Sequence, residues 1–391
     1  MNTDWLYGLV PLTFWTYVGV TLLLVQTTLM SVTLYLHRDA THRSVDLHPA
    51  VRHFFRCWIW MGSGIVTREW VAVHRKHHAF ADRAGDPHSP VNVGLRRVLL
   101  EGAELYAVAS RNPQVCDYYG KGTPNDWIER NVYSRYRYAG IVLLVVVELA
   151  LFGVPGITMI GVQMLTMPVL AAGVINGLGH SVGYRNFEVD NAATNVLGWG
   201  LLAGGEELHN NHHAFPSSAK FSVRPWEFDP GWACIVLLAA VGLAKVKRIA
   251  PQPRIANIGE KTDPDAVYAV ICNRMHVLRE YALHVIVPVL EQELSQSQRN
   301  EWGGVPHRLL TSSPSQLDDI ARRRLRALLE TYPALETAYE CQEGLRQLWE
   351  TPNPTQDALT TMFSSWCARA EASRINALAE FAGRLRRFSL L

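Results

Sequence analysis

From Trp5 to Leu36 the chain is almost uninterruptedly apolar and holds no Lys or Arg; the next residue is His37. Such a run suits one tilted transmembrane helix of ~30 residues and is too short for two spans of ~20. A cleaved leader is not expected, because a positive n-region is missing and the run is too long. A second apolar block extends from Tyr138 to Val182 and is interrupted by Phe152-Gly-Val-Pro-Gly156. The Pro and Gly there make a natural hairpin loop, so the block reads as two antiparallel spans with a short first arm. Arg38, Arg43, Arg52, Arg56, Arg68, Arg75 and Lys76 crowd the stretch after the first run, and the hairpin loop has no basic residue. The positive-inside rule therefore makes that stretch cytoplasmic and puts the N-terminus outside, in a cytoplasmic (inner) membrane.

Nine of the fifteen histidines fall into four groups on that same side: His37-Arg-Asp-Ala-Thr-His42, His74-Arg-Lys-His77-His78, Asn176-Gly-Leu-Gly-His180 and His209-Asn-Asn-His212-His213. One span precedes the first group and two separate the second from the third, so all four arrive at one face. Positions i, i+3 and i+4 share a helix face, and each HxxHH then offers three imidazoles to a single point. His37 and His42 would stand about 140° apart on a regular helix. They are expected to converge only where a helix ends and the chain wraps around the site. Nine imidazoles exceed what one ion takes and suit two, and imidazole favours iron, copper, zinc or nickel over magnesium or calcium. His48, His53, His276, His284 and His307 stand outside these groups and read as solvated or hydrogen-bonded side chains.

Three shorter segments read as lying in the membrane interface. His53–Val66 mixes large apolar residues with Arg56, and Asn195–Ala203 is a similar stretch before the last histidine group. Trp232–Leu243 is apolar but too short to span. Beyond about Ala250 the chain turns charged, with helical periodicity over Ala266–Leu294, Pro314–Leu329, Ala334–Leu348 and Thr355–Phe388. The expected organisation is a membrane domain over 1–249, a linker over 250–263 and a cytoplasmic helical extension over 264–391. The fold class is all-α: an integral membrane protein of helical spans with a cytoplasmic histidine cap and a soluble C-terminal extension. A net charge of +2 implies no nucleic-acid partner. The six cysteines form no CxxC pair and read as free thiols. No iron–sulfur ligand set or haem segment is evident, so electrons are expected from a separate protein.

The order HxxxxH, HxxHH, NxxxH, HxxHH resembles the integral-membrane fatty-acid desaturases, specifically the Δ9 acyl desaturase branch of the bacterial type. The resemblance covers roughly Leu12 to Lys247 and includes Glu69-Trp70, Asp86-Pro-His88 and Asn210-Asn-His-His-Ala-Phe-Pro216. It implies two iron ions, O2 as cosubstrate and a cis double bond placed in a long-chain saturated acyl group. The implied ligands are His37, His42, His74, His77, His78, His180, His209, His212 and His213, with Asn176 holding one iron weakly. Membrane lipid surrounds such a protein, and a ferredoxin or flavin-dependent reductase supplies its electrons. Asp39, Glu69, Asp82, Asp86, Glu206 and Glu207 lie near the groups as candidates to receive the outer imidazole N–H. A diiron hydroxylase of acyl chains or alkanes is the nearest alternative, typically with HxxxH in the first group. A membrane metal-binding or transport protein is the second. Acyl-CoA, phospholipid and acyl carrier protein all offer the same methylenes, and the sequence leaves them undivided.

Overall fold

A computed structural model describes residues 4–255, 264–295, 298, 305–312, 314 and 317–389. Nearly all of the regular structure is helical, with two two-stranded pieces of sheet. Backbone contacts divide the chain into two compact units, Met1–Arg185 with Asn191–Ala250, and Asn186–Asp190 with Pro251–Leu391. Of the linker expected at 250–263, residues 256–263 lie outside the described residues.

The first unit is built on α1 (Phe14–Thr41) and α7 (Val154–Leu178), of 28 and 25 residues, both long and apolar enough to cross a membrane. Thr13 caps the start of α1 by accepting from the Thr16 amide, so the helix begins nine residues later than the apolar run and carries His37 within it. Between them in sequence come α2 (Pro49–Ser63), α3 (Thr67–Phe80), α4 (Leu95–Ser110), α5 (Pro113–Tyr119) and α6 (Ala139–Phe152). The 14 residues of α6 reach about 21 Å and the helix is not prolonged toward Tyr136. Gly153, with φ of +63°, makes the turn into α7.

Where α4 crosses α7 the backbones nearly touch: a Cβ on Gly102 would lie 2.5 Å from the Ala172 carbonyl oxygen, and one on Gly173 2.9 Å from that of Leu99. Small residues permit this approach and give van der Waals contact along the crossing. It fixes the end of α7, which carries Asn176 and leads to His180.

The C-terminal end of α1 is locked from several directions. Leu34, Leu36, Leu47, Phe55, Ile59 and Ile235 form a buried core around it, each worth about 1.5–3 kcal/mol relative to exposure. Strand β1 (Val45–Leu47) pairs antiparallel with β2 (Ala244–Val246), Val45 opposite Val246. Arg38 is fully buried, donates to Asp229 at 2.8 Å and lies 3.8 Å over the Phe221 ring. Asp229 in turn caps α9 (Pro230–Ala240) by accepting from the Trp232 amide and holds the Phe221 amide at 2.7 Å. Arg75, from within HRKHH, donates to the carbonyls of Ala40, Thr41, Tyr119 and Lys121, closing the C-terminal end of α1.

The interfacial helix expected at His53–Val66 is α2, starting at Pro49 and stopped at Gly64 in a left-handed conformation. Asn195–Ala203 is not a helix. Gly198 and Gly200 lie against Trp226 and Gly205 so closely that a Cβ would collide, and the segment runs as turns bridged to Phe228. Glycine's lack of a Cβ permits that contact and disfavours a helix.

The second unit is helical: α10 (Pro264–Cys272), α11 (Arg274–Tyr281), α12 (Val287–Glu293), α13 (Val305–Thr311), α14 (Asp319–Thr331), α15 (Pro333–Glu350), α16 (Gln356–Ala372) and α17 (Asn376–Leu385). Tyr281, Leu345, Phe363, Trp366 and Phe381 centre its core. The single helix expected over Thr355–Phe388 is broken at Arg374, whose φ is +61°. All six cysteines are free thiols.

Candidate metal centre

The nine histidines meet as two adjacent groups. His37, His42, His74, His78 and His212 form one, and His77, His180, His209 and His213 the other, with the ligand atoms in each group within 4.8 Å of one another. Asn176 lines the cavity beside them.

Neither HxxHH points at a single centre. In α3, His74 and His78 face the first group and His77 the second; in α8 (His209–Ala214), His209 and His213 face the second and His212 the first. Residues i and i+4 are only about 40° apart around a helix, whereas i+3 and i+4 diverge by about 100°. The consecutive pairs 77/78 and 212/213 therefore straddle two centres, with ring centroids 5.5 and 5.6 Å apart.

The first pair converges at a helix end, as expected, and a wide turn brings it about. Val32–Thr41 closes α1 as a π-helix, His42 caps its C-terminal end, and the His42 amide donates to the His37 carbonyl at 3.0 Å. An i→i+5 register places the two residues one turn apart on one face. Their ring centroids are 4.9 Å apart.

Carboxylates stand behind the rings, and neither group includes one. His37 Nδ1 meets Glu206 at 2.7 Å, His180 Nδ1 meets Asp82 at 2.7 Å, and His77 Nδ1 meets Asp86 at 3.0 Å. A carboxylate acceptor fixes the proton on Nδ1 and leaves the Nε2 lone pair facing inward. The inward atoms crowd accordingly: Nε2 of His212 is 2.9 Å from those of both His37 and His78, and His180 Nε2 is 3.0 Å from His209 Nε2. Burial first, and then neighbouring imidazoles, hold His42, His74, His78, His209, His212 and His213 well below the usual histidine range. Neutral rings presenting lone pairs to a shared point cannot satisfy one another through hydrogen bonds alone. The donor set fits a cation of the imidazole-preferring class in each group.

Asp82, Asp86 and Glu206 are thus the three flanking carboxylates that reach histidines. Burial alone would raise each of them, but the histidine contacts outweigh it and keep all three below the ordinary carboxylate range. Asp82 adopts a left-handed φ of +61°, which turns the chain back beneath α3. It also accepts from Ser89 Oγ and the Ala192 amide. The other three candidates are engaged elsewhere: Asp39 with Arg52, Glu69 with Arg137, and Glu207 with the amides of Leu202, Ala203 and Gly205.

Three residues that the sequence offered only as parts of the family's motifs prove to be supports. The Trp70 ring stacks on His74 at 4.8 Å and 10°. Asn211 sits between two box histidines yet points away from them, donating to the Phe221 carbonyl and Glu227 and accepting from Asn195. His88 is buried, stacks on His77 at 4.6 Å, and is pushed down to about 3 chiefly by burial. Their place in those motifs was legible in the sequence, and their contacts were not.

A cavity of about 270 Å3 opens beside the groups. Leu29, Val32, Val73, Met164, Met167 and Ile175 give it an apolar wall, while His37, His74, His209 and Asn176 stand at its polar side.

Residues 254–389 match a family described as transposase, yet among the described residues every group of three or more potential metal ligands lies within 37–213. The sn-1 stearoyl-lipid 9-desaturase of Synechocystis sp. is 31% identical over 248 residues, covering 62% of this chain and 75% of the relative. The enzyme of the same name from Anabaena variabilis is 30% identical over 250 residues, covering 63% and 89%. The Acyl-CoA 5-desaturase AL21 of Anemone leveillei is 30% identical over 221 residues, covering 54% and 65%. Residues 13–233, more than half of the chain, match the fatty acid desaturase family, and the chain belongs to it.

Proposed function

We propose that this chain is an O2-dependent Δ9 fatty acyl desaturase, placing a cis double bond in a long-chain saturated acyl group with two irons held by its histidines. The observation that carries the reading is the convergence of nine imidazoles as groups of five and four beside an apolar cavity. His37, His42, His74, His78 and His212 would hold one iron; His77, His180, His209 and His213 the other, with Asn176 adding a weak contact. The Δ9 position is supported by the names of the Synechocystis and Anabaena relatives, while the Anemone leveillei relative is named a 5-desaturase.

An unactivated methylene has no acidity for a general base to exploit, and the bound irons with O2 and two electrons supply the redox chemistry that removes its hydrogens. The chain's own residues do the rest. Glu206, Asp86 and Asp82 hold protons on the Nδ1 atoms of His37, His77 and His180 and so aim the Nε2 atoms. The apolar wall seats the acyl chain and excludes water.

In this reading residues 1–249 form the membrane domain, with α1 and α7 spanning, the histidine groups cytoplasmic and the N-terminus outside. Residues 250–263 link it to a cytoplasmic helical extension over 264–391 that takes no part in the chemistry. Electrons come from a separate ferredoxin or flavin reductase.

The test is lipid analysis of aerobic cells expressing the chain and fed labelled stearate, with acyl-CoA and phospholipid pools sampled separately. A labelled Δ9 cis product that disappears without oxygen is expected. A hydroxylated product instead would replace the desaturase reading with a hydroxylase.

A further inference from the structure

Apart from its histidine side, the cavity wall is mainly apolar, and two lining residues, Ser63 and Tyr106, bring hydroxyls to it. Tyr106, on α4, lines the cavity, and its hydroxyl oxygen is buried with no hydrogen-bond partner among the described residues. Ser63, another lining residue with a hydroxyl, is already engaged with the Ile59 carbonyl. A buried phenol normally finds a partner, and leaving a polar group unpaired costs free energy. The vacancy is therefore informative about what enters.

The charged groups that act on Tyr106 are Glu69 and Arg137, which are joined by a partly exposed ion pair at 2.5 Å. Trp70, adjacent to Glu69, lines the same cavity and stacks on His74. The phenol and the rings of His37, His74 and His209 thus line one cavity. A saturated acyl chain carries one polar group that accepts hydrogen bonds, the carbonyl oxygen of its ester or thioester, and it lies at the end nearest the headgroup.

We propose that Tyr106 is a positioning residue that anchors the substrate's acyl carbonyl, its hydroxyl donating to the carbonyl oxygen and fixing how far the chain slides past the histidines. The inference rests on the acyl-desaturase reading and deepens it: the recognised feature is the carbonyl, shared by acyl-CoA and ester lipids. A hydrocarbon tail alone lacks it. The ion pair of Glu69 and Arg137 shapes the adjoining surface and leaves the phenol proton to the substrate.

The test compares ester-linked stearoyl lipid with its ether-linked alkyl counterpart, which lacks the carbonyl, on the metal-loaded full chain and on Tyr106→Phe. Binding is read directly by titration in detergent, and product position by mass spectrometry. Wild type is expected to prefer the ester by about tenfold, the scale of one buried hydrogen bond. Tyr106→Phe should lose that preference through a raised KM with kcat little changed, keep its full metal content, and yield a second double-bond position. Equal binding of ester and ether by wild type, or an undiminished preference in Tyr106→Phe, overturns the anchor and leaves the desaturase reading intact. Failure of metal-loaded, reductase-supplied wild type to act on any acyl substrate overturns the reading beneath it. Tyr106→Leu, melted alongside, separates loss of the hydroxyl from loss of packing.

Discussion

Replacing Asp86 by Asn removes a charge while keeping the shape, and its consequence follows from four contacts. One carboxylate oxygen accepts from the His88 amide at 3.1 Å and the other from the Asp82 amide at 2.8 Å, while His77 Nδ1 lies 3.1 and 3.0 Å from the two. An asparagine offers one oxygen and one NH2. Whichever way it turns, one buried backbone N–H faces another donor, at a cost of about 1–3 kcal/mol. The imidazole also loses the carboxylate that fixes its proton, and outer partners of this kind are worth about 10–100-fold in metal affinity. The loss should be selective, because His77 belongs to the group of four and Asp86 touches no histidine in the group of five. Anaerobic titration of metal-free protein with Fe2+ should be near-uniform for wild type and biphasic for Asp86→Asn, with one site weakened. The metal-free variant should also melt earlier. Unchanged affinity, or weakening spread evenly over both sites, would refute the assignment of Asp86 to one centre.

Two further outcomes are expected. His77→Ala or His212→Ala should each lower bound iron and abolish desaturation while the protein still inserts, whereas His53→Ala should leave both unchanged; retained activity in the first two would sink the diiron assignment. The pH dependence has a definite sign. The folded metal-free chain keeps six ring-cluster histidines neutral, and His88 down to about 3, where the unfolded chain protonates them near 6.5. Stability from these rings is full above about pH 6.5 and falls below it, by about 1.4 kcal/mol per ring per pH unit until the folded value is reached. Melting temperatures of metal-free protein should hold level between pH 7 and 8 and drop steeply toward pH 5; a flat profile would contradict neutral burial.

What could be read from the sequence was what depends on spacing and run length. The histidine groups, the apolar runs, the hairpin at Gly153 and the all-helical character follow from periodicity and composition. The sharing of each HxxHH between two centres was present in the helix angles, since i+3 and i+4 diverge, but only the second centre gives that divergence meaning. The i, i+5 spacing of His37 and His42 pointed to a helix end, and His42 is the cap of one, but the π register of Val32–Thr41 has no composition of its own and could not be read. Asp82, Asp86 and Glu206 could not be separated from Asp39, Glu69 and Glu207 beforehand. The choice depends on where Arg52, Arg137 and the turn amides lie in space. Asn195–Ala203 was misread because hydrophobicity was weighed and its glycines were not.

The π-helical end of α1 also bears on how the protein matures. Wide helical turns are uncommon and occur mostly where function requires them. Here the wide turn aligns His37 with His42 before any ion is bound. On the function proposed above, whatever ion the aligned rings take would also stabilise the turn that aligns them, because a ligand that binds only the folded form stabilises it. Metal supply would then set how firmly the last turns of this helix hold, and the lifetime of the protein would follow the metal it needs.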